Sequence, residues 1–365
     1  MQNRNASLKV PCASALCDRK KEEQEIGLKA FVKRQLESLF ARRGYSLIPA
    51  HVLRAYDTGS DPVPSPPVSA EAQRYLRKDN PRLQELRRRY AALNVDAVAH
   101  SLWDSDYVSA EVRLDSFRAH SAYVWGYMEL SRPTQMKYFL YSQYAKSKAP
   151  QVLARLHEDG AFGAICYDFE VAGRVSRDRL DSAIELDFLD RHLQILTRPQ
   201  LRVLDIGAGY GRLAHRTCEA GAQVADYACV DAIPESTFLA EYYTEFRGLR
   251  DRVRVVPLDE LVTTGAPALG RFDLAINVHS FSECSYAAIR WWIERLQELA
   301  VPYLFIVPNT DTRFISTESD RTRKDFFPLL EQAGYRIAAH EPLFDDPDLL
   351  RLLNITDQLF LLERR

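Results

Sequence analysis

A short apolar strand that runs into a glycine-rich turn and then a helix constrains this chain most. The stretch VLDIGAGYGRL, from Val203 to Leu213, holds Asp205 in the strand and Gly207, Gly209 and Gly211 in the turn. Alternating glycines permit a tight turn and a close approach of ligand to backbone, and the N-terminus of the following helix offers N–H groups to an anionic group. Strand, turn and helix in this order predict a parallel sheet covered by helices.

The remainder of the C-terminal half repeats this alternation of short apolar runs and helical patterns. The predicted strands are Arg202–Ile206, Asp226–Asp231, Val253–Pro257, Phe272–Val278, Tyr303–Pro308, Tyr335–His340 and Gln358–Leu362. The last two are separated by a segment without a long apolar helix, so we expect them to pair antiparallel. The predicted fold is α/β, with the seven-stranded Rossmann-like sheet of the class I methyltransferases and an N-terminal helical domain.

Three regions are expected along the chain. Residues 1–60 form a tail and an amphipathic helix over Glu22–Arg43, and the proline-rich stretch Thr58–Ser69 is a semi-rigid connector. Residues 61–175 form a helical region that covers the substrate or mediates homo-oligomerisation, and residues 176–365 form the cofactor-binding domain. Aromatic residues crowd the middle region, among them Trp103, Tyr123 and Tyr141, and they either fill the core or line a substrate pocket.

Composition restricts the class of protein. The 365 residues are 46% apolar and allow a large core, while the six cysteines are scattered without the spacing of a zinc site. No apolar run reaches 18 residues and no signal-peptide pattern begins the chain, so we expect a cytoplasmic protein without a membrane partner. The net charge of -2 divides into +8 for residues 1–150 and -10 for residues 151–365, which favours docking of the two parts or an anionic partner.

The strand ends carry the candidate cofactor residues. An acid ahead of the glycines disfavours the pyrophosphate of a nicotinamide dinucleotide and suits the cationic amino group of a methionine moiety. Asp231, followed by Ala232, would reach the hydroxyls of a ribose, and Leu258 and Asp259 would contact an adenine face and its amino group. Asn277 adds a polar group at the end of the fourth strand. Together these positions predict S-adenosylmethionine as cofactor.

Methyl transfer from a sulfonium needs an aligned acceptor and a base for its proton. His279 follows the fourth strand and is the candidate base, with a structural capping role as the alternative. Glu283 would orient His279, bind the acceptor or hold a divalent cation, a metal that no other feature supports. His215, in the helix after the glycine turn, is expected to be a packing residue.

The stretch before the first strand, VSRDRLDSAIE, is dense in charged and hydroxyl groups. Ser176 is a candidate helix cap, and Asp178 and Arg179 are candidate surface partners. Alternatively, Arg177, Asp178 and Asp181 bind a sugar beside the glycine turn.

These motifs resemble the sugar O-methyltransferases of bacterial polysaccharide and glycosylated natural-product gene clusters. The resemblance covers roughly residues 70–365 and lies in the runs VSRDRLDSAIE, LRVLDIGAGYGRLAHR, DAIPESTFLAEYY, FDLAINVHSFSECSYAAIRWWIERL, VPYLFIVPN and FFPLLEQAGYRIAAHEP. It implies a class I enzyme that methylates a sugar hydroxyl with S-adenosylmethionine, binds the cofactor through Asp205, Gly207, Gly209, Gly211 and Asp231, and has His279 at the reaction centre. Ser319 and Asp320 stand where a glycine-bearing turn is expected.

Three other functions compete with this interpretation. Another small molecule, methylated at oxygen or nitrogen, would need only a different acceptor site. A nucleic-acid methyltransferase is suggested by the basic N-terminal half, but NVHSFSE lacks the proline-aromatic motif that grips a flipped base. A catalytically silent scaffold is disfavoured by the intact acid and glycine pattern.

Overall fold

The computed structural model describes residues 35–36, 38–40, 42–43, 62–99, 102–103, 107–108, 111–119, 123, 130–170, 172–309 and 312–365. The chain divides into two compact units, Met1–Asp57 and Thr58–Arg365. The helix predicted over Glu22–Arg43 falls mostly outside the described residues and stays a prediction. The second unit contains both the helical region and the sheet.

Helices precede the sheet, cover it and connect its strands. They are α1 (Ala70–Tyr75), α2 (Pro81–Ala91), α3 (Arg132–Lys148), α4 (Pro150–Leu153), α5 (Arg177–Leu193), α6 (Arg212–Glu219), α7 (Pro234–Phe246), α8 (Leu258–Thr264), α9 (Ser280–Glu283), α10 (Tyr286–Glu298), α11 (Phe327–Gln332) and α12 (Pro347–Leu353). Among the helices of the described ranges, none has the length and apolar character needed to cross a membrane.

The strands form two sheets. A small antiparallel sheet, which the sequence did not lead us to expect, contains β1 (Pro62–Val63), β2 (Cys166–Phe169) and β3 (Gly173–Val175). The main sheet contains β4 (Leu201–Ile206), β5 (Val224–Asp231), β6 (Val253–Pro257), β7 (Leu274–Val278), β8 (Tyr303–Val307), β9 (Tyr335–Pro342) and β10 (Gln358–Arg364). Each of these seven strands begins and ends within two residues of its predicted bounds.

The main sheet has the order β6-β5-β4-β7-β8-β10-β9. The first five strands pair in parallel, and β10 runs antiparallel to both β8 and β9. The predicted α/β fold, a seven-stranded Rossmann-like sheet with one reversed strand, is therefore confirmed. Because β10 is reversed, its first residues lie at the edge where the parallel strands end.

The hydrophobic pattern explains which strands are central. Five of the six residues of β4 and four of the five in each of β7 and β8 are buried, as expected for parallel strands covered on both faces. The edge strand β9 is largely exposed and carries Arg336, His340 and Glu341, which discourage pairing with another chain.

Helix α2 is joined by ion pairs to helix α7, which packs on the main sheet. The Arg82 guanidinium donates to the Glu241 carboxylate at 2.6 Å, and Nε of Arg87 donates to Glu235 at 2.7 Å. Both acids lie on α7, which follows β5. These pairs join the basic part of the chain to the acidic part, so the charge asymmetry serves docking at this contact.

Candidate functional site

A cavity of about 1170 Å³, partly open to solvent, lies where β4, β5 and β7 end. Open α/β sheets bind their ligands at this edge. Nine of the residues singled out in the sequence line it: Asp178, Asp181, Asp205, Gly207, Gly209, Asp231, Ala232, His279 and Glu283. Trp103 and Tyr123 also line it, whereas Tyr141 is buried in the core.

The glycine turn requires its glycines. Gly207, Gly209 and Gly211 have φ of 73°, 56° and 85°, in the left-handed region that glycine adopts at least cost. A Cβ on Gly207 would stand 2.3 Å from the side chain of Ser280, and one on Gly209 would stand 3.3 Å from the Tyr123 ring. The backbone therefore forms the wall of the cavity. Gly211 is the N-cap of α6 and does not line the cavity.

Two buried aspartates flank this turn. Asp231 accepts hydrogen bonds from the N–H groups of Gly209 at 2.9 Å and Ile233 at 2.8 Å, which ties the turn to the end of β5. Asp205 accepts from the Tyr227 hydroxyl at 3.0 Å. Burial raises the pKa of each carboxyl to about 7, against the lowering effect of these hydrogen bonds. A cationic ligand group would stabilise their ionised forms.

These raised pKa values predict how the stability of the ligand-free protein depends on pH. An aspartate in the unfolded chain ionises near pH 3.9, whereas Asp205 and Asp231 ionise at about 7. The unfolded state therefore releases protons first, and each group lowers the free energy of unfolding as pH rises from about 4 to about 7, by at most about 1.4 kcal/mol per pH unit. Asp205→Asn should remove one group's contribution, as urea unfolding between pH 5 and 7.5 would measure. If the free energy of unfolding fell equally steeply with pH in the wild type and in the variant, the raised pKa of Asp205 would be contradicted.

His279 lies at the end of β7 in a strained conformation. Its φ is 65°, unusual for a residue with a Cβ and typical of functional sites, where such strain costs about 1–3 kcal/mol. The His279 N–H donates to the Val307 carbonyl at 2.7 Å, which anchors the loop to β8. Its Nε2 lies 3.3 Å from Oδ2 of Asp357. Burial lowers the pKa of His279, but Asp357 outweighs it and leaves the pKa above the ordinary value.

Glu283 has different partners from those predicted. Its carboxylate accepts from Nε1 of Trp103 at 2.7 Å and from Nδ2 of Asn309 at 3.3 Å. Burial raises its pKa despite the hydrogen bond from Trp103. A second carboxylate, that of Asp357, lies beside Nε2 of His279, and the charge of Glu283 contributes to the raised pKa of His279. The predicted roles of Glu283, orienting His279 or contacting an acceptor, both stay predictions.

The start of α5 divides its charged residues between the cavity and the interior. Asp181 lines the cavity and accepts from Nε of Arg177 at 2.6 Å and from the Tyr141 hydroxyl at 2.6 Å. Arg177 does not line the cavity, and its side chain is 3% exposed. The predicted sugar contact of Arg177 is therefore replaced by a role in holding Asp181.

Asp178 belongs to a buried ion cluster formed with Arg118, Glu158 and Arg216. The Asp178 carboxylate accepts from Arg118 at 3.0 Å, from Arg216 at 2.7 Å and from the Tyr210 hydroxyl of the glycine turn at 2.6 Å. Burial raises the pKa of Asp178, but the two guanidiniums outweigh it and hold it well below its usual range. Asp178 thus has a structural role in this cluster, and the sugar contact predicted for it stays a prediction.

Two residues expected near an adenine lie outside the cavity. Leu258 is fully buried, and its N–H donates to the Tyr90 hydroxyl of α2 at 2.7 Å. Asp259 accepts from Nε of Arg89, also on α2, at 2.6 Å. Both residues therefore have a hydrogen-bond partner on α2, and the adenine contacts predicted for them stay predictions.

Asn277 is also withdrawn from the cavity. It is completely buried, its Nδ2 donates to the Ile206 carbonyl at 2.9 Å, and its Oδ1 accepts from the Phe281 N–H at 2.9 Å. The side chain joins the ends of β4 and β7 and begins α9, so its predicted cofactor contact gives way to a structural role. His215 is buried as expected for a packing residue, with Nδ1 3.1 Å from the Tyr243 hydroxyl.

The cavity is rich in carboxylates. Besides the predicted acids it contains Glu185, which pairs with Arg212 at 2.6 Å and which sequence reasoning missed. The spacing from Asp181 to Glu185, one helical turn, was the available signal. Within the described ranges, no group of three or more His, Cys, Asp or Glu is arranged to hold a metal ion.

Comparisons with known proteins identify neighbours of the fold only. No family model and no curated protein matches the chain. The magnesium protoporphyrin IX methyltransferase of Synechocystis PCC 6803, solved with bound S-adenosylmethionine, is 16% identical over 75% of this chain and 99% of that one, with a TM-score of 0.41. The [4+2]-cyclase SpnF is 15% identical over 62% of this chain and 96% of that one, with a TM-score of 0.37. TrmK of M. capricolum, in complex with S-adenosylhomocysteine, is 13% identical over 48% of this chain and 68% of that one, with a TM-score of 0.32.

Proposed function

We propose that this protein is an S-adenosylmethionine-dependent O-methyltransferase that acts on a sugar hydroxyl. The observation that carries the proposal is the convergence of Asp205, the glycine turn, Asp231 and His279 on one cavity at the carboxyl edge of a methyltransferase sheet. The resemblance to sugar O-methyltransferases supports the acceptor class and a role in polysaccharide or glycosylated natural-product biosynthesis.

The chemistry of the donor side suits this cofactor. Asp205 and Asp231 are buried acids with pKa values of about 7, and an ammonium or sulfonium nearby would favour their ionised forms. Asp231 would accept from ribose hydroxyls, and the glycine turn leaves room for a ligand against its backbone. When bound, S-adenosylmethionine supplies a methyl group on a positively charged sulfur, which an oxygen nucleophile displaces directly.

His279 would accept the proton of the acceptor hydroxyl. A sugar hydroxyl is almost wholly un-ionised at neutral pH, so a base must take its proton as the new carbon–oxygen bond forms. The strained backbone of His279 and its link to β8 hold the imidazole in place before the acceptor arrives.

The lining of the cavity favours a neutral acceptor rich in hydroxyls. Trp103 offers an aromatic surface, and Glu283 and Asp181 offer carboxylate oxygens that accept from hydroxyls. Six carboxylates line the cavity, whereas among its described lining residues the one guanidinium, Arg212, is already paired with Glu185. A phosphate would meet net negative charge here. The negative charge of the lining therefore supports a glycoside over a nucleotide-linked sugar as the acceptor, and it disfavours a nucleic-acid acceptor.

The carboxylates also favour a second candidate, N-methylation of an amine-bearing small molecule. Glu283 and Asp181 would hold an ammonium group by charge-assisted hydrogen bonds. An ammonium must lose a proton before its nitrogen can attack, so His279 would serve both candidates. Transfer of a labelled methyl group to neutral methyl glycosides and to the corresponding amino sugars separates them, since the position of the label distinguishes oxygen from nitrogen.

Calorimetry tests the cofactor. We expect S-adenosylmethionine and S-adenosylhomocysteine to bind, and NAD not to bind at comparable concentration. Asp231→Ala should weaken binding by about 1–3 kcal/mol, because charge-assisted hydrogen bonds to the ribose are lost. Asp226→Ala, at the opposite end of β5 and paired with Arg254, is the matched control and should leave the affinity unchanged. Tight binding of NAD without binding of S-adenosylhomocysteine would overturn the proposed function.

A further inference from the structure

The proposed base faces a carboxylate that no sequence motif connected with it. Oδ2 of Asp357 lies 3.3 Å from Nε2 of His279, and the two side chains are only 16% and 15% exposed. Water therefore screens their interaction little. An ionised carboxylate this close to a ring nitrogen favours a proton on that nitrogen and attracts the imidazolium that forms when the ring accepts a second proton.

Asp357 is itself held from several sides. It directly precedes β10, and its carbonyl accepts from the Leu343 N–H at 2.9 Å. Nη2 of Arg177 lies 3.7 Å from Oδ2 of Asp357, and Arg177 is fixed in turn by Asp181. Burial raises the pKa of Asp357, but His279 and Arg177 outweigh it and leave the pKa below its usual range. The carboxylate is thus ionised and fixed between an imidazole and a guanidinium.

We propose that Asp357 is the positioning residue of this site, which holds His279 with Nε2 toward the start of β10 so that the acceptor's proton is taken at Nδ1. The catalytic meaning of this contact rests on the proposed function. In the transfer step the acceptor O–H bond breaks and its proton goes to Nδ1, while an oxygen electron pair forms the bond to the methyl carbon. The methyl–sulfur bond breaks with its electron pair left on sulfur, and Asp357 stays ionised and stabilises the imidazolium.

Other charged groups also face the imidazole. Glu283 at the end of α9 and Glu185 on α5 raise the pKa of His279, as Asp357 does, against the effect of burial. The nearby guanidiniums, Arg177 and Arg212, are paired with Asp181 and Glu185. Of the carboxylates, Asp357 has the largest effect, so removing its charge should lower the pKa of His279 most.

The test measures the histidine directly and needs no acceptor. In protein labelled with ¹⁵N-histidine, His279 is identified among the eight histidines by the signal that His279→Gln removes. Asp357→Asn should lower the pKa of His279 by about 1–3, as expected for loss of an opposite charge at this distance, and should alter the tautomer seen at high pH. Glu341→Gln is the matched control. Glu341 lies 3.5 Å from Nε2 of His192 and does not line the cavity, so this variant should leave the titration of His279 unchanged.

Kinetics supply the second readout. Asp357→Asn should lower kcat by about 10-fold to 100-fold at nearly constant KM and move the rising limb of the pH profile to lower pH, and Asp357→Glu should restore part of the rate. An unchanged His279 titration in folded Asp357→Asn, judged by circular dichroism, would overturn the positioning role. Failure of the proposed function is seen separately, as absence of S-adenosylhomocysteine binding in the wild type.

Discussion

His279→Gln should lower kcat by about 100-fold to 10,000-fold while the affinity for S-adenosylmethionine stays nearly constant. The imidazole lies at the end of β7 beside the proposed donor site and is the group that we propose takes the acceptor's proton. Glutamine keeps a polar side chain and is not glycine, so the backbone strain at φ 65° persists in the variant. The measurement is the rate of S-adenosylhomocysteine release at saturating acceptor, with cofactor affinity measured by calorimetry.

The pH profile of the wild type gives an independent check on this base. Because Asp357 raises the pKa of His279 above the ordinary value against the effect of burial, the protonated form predominates at low pH and cannot accept a proton. Activity should therefore rise with pH through a pKa above about 6.5. The control is His192→Gln on α5, a histidine 3.5 Å from Glu341 that does not line the cavity. A His279→Gln enzyme that keeps a third of its activity would show that another group is the base.

The sheet could be predicted because its evidence is local. A parallel strand buried on both faces is a short apolar run, and a glycine turn joins it to a helix within a few residues, so β4 and its turn are visible without knowledge of the fold. The position of Asp231 follows from the same rule, since strand ends in a parallel sheet meet at one edge. Both predictions depend only on neighbours in sequence.

Asp357 could not be found in that way, because its importance depends on the direction of a strand. The residue precedes the last strand, and in a parallel sheet that position would lie at the opposite edge from His279. The antiparallel pairing of β10 with β8 reverses this and brings Asp357 to the site. The expectation of a reversed final strand already contained the signal: residues that precede this strand, and not those that follow it, belong to the carboxyl edge.

The structural partners of three other candidate residues could not be predicted, for a different reason. Leu258 and Asp259 have the right position in sequence, but Tyr90 and Arg89 reach them from α2, about 170 positions earlier in the chain. Asp178 likewise accepts hydrogen bonds from Arg118 and Arg216. A contact between residues so far apart leaves no periodicity in the sequence, and polar side chains that would contact a ligand in a simpler protein become structural here.

Asp178→Asn should lower the free energy of unfolding by about 3–5 kcal/mol, the largest effect on stability expected from any single change in the site region. The side chains of Arg118, Glu158, Asp178 and Arg216 are at most 2% exposed. Asp178 bridges both guanidiniums of this buried ion cluster, so neutralising it removes a charge partner of each and leaves Arg118 with Glu158 and Asp159, and Arg216 with Glu158 and Glu219. The hydroxyl of Tyr210 in the glycine turn would also lose its charged acceptor.

Urea unfolding of matched variants of α5 measures this effect. Asp187→Asn is the control, since Asp187 lies on the same helix and pairs at 2.9 Å with Arg191, whose side chain is 41% exposed. Exposed pairs of this kind contribute little, so this variant should lose no more than about 0.5 kcal/mol. Because Tyr210 connects the buried ion cluster to the glycine turn, Asp178→Asn should also weaken S-adenosylhomocysteine binding, whereas Asp187→Asn should not. A loss of less than about 1 kcal/mol in Asp178→Asn would mean that the cluster does not depend on its charge balance, and Asp178 would return as a candidate ligand of the cavity that it lines.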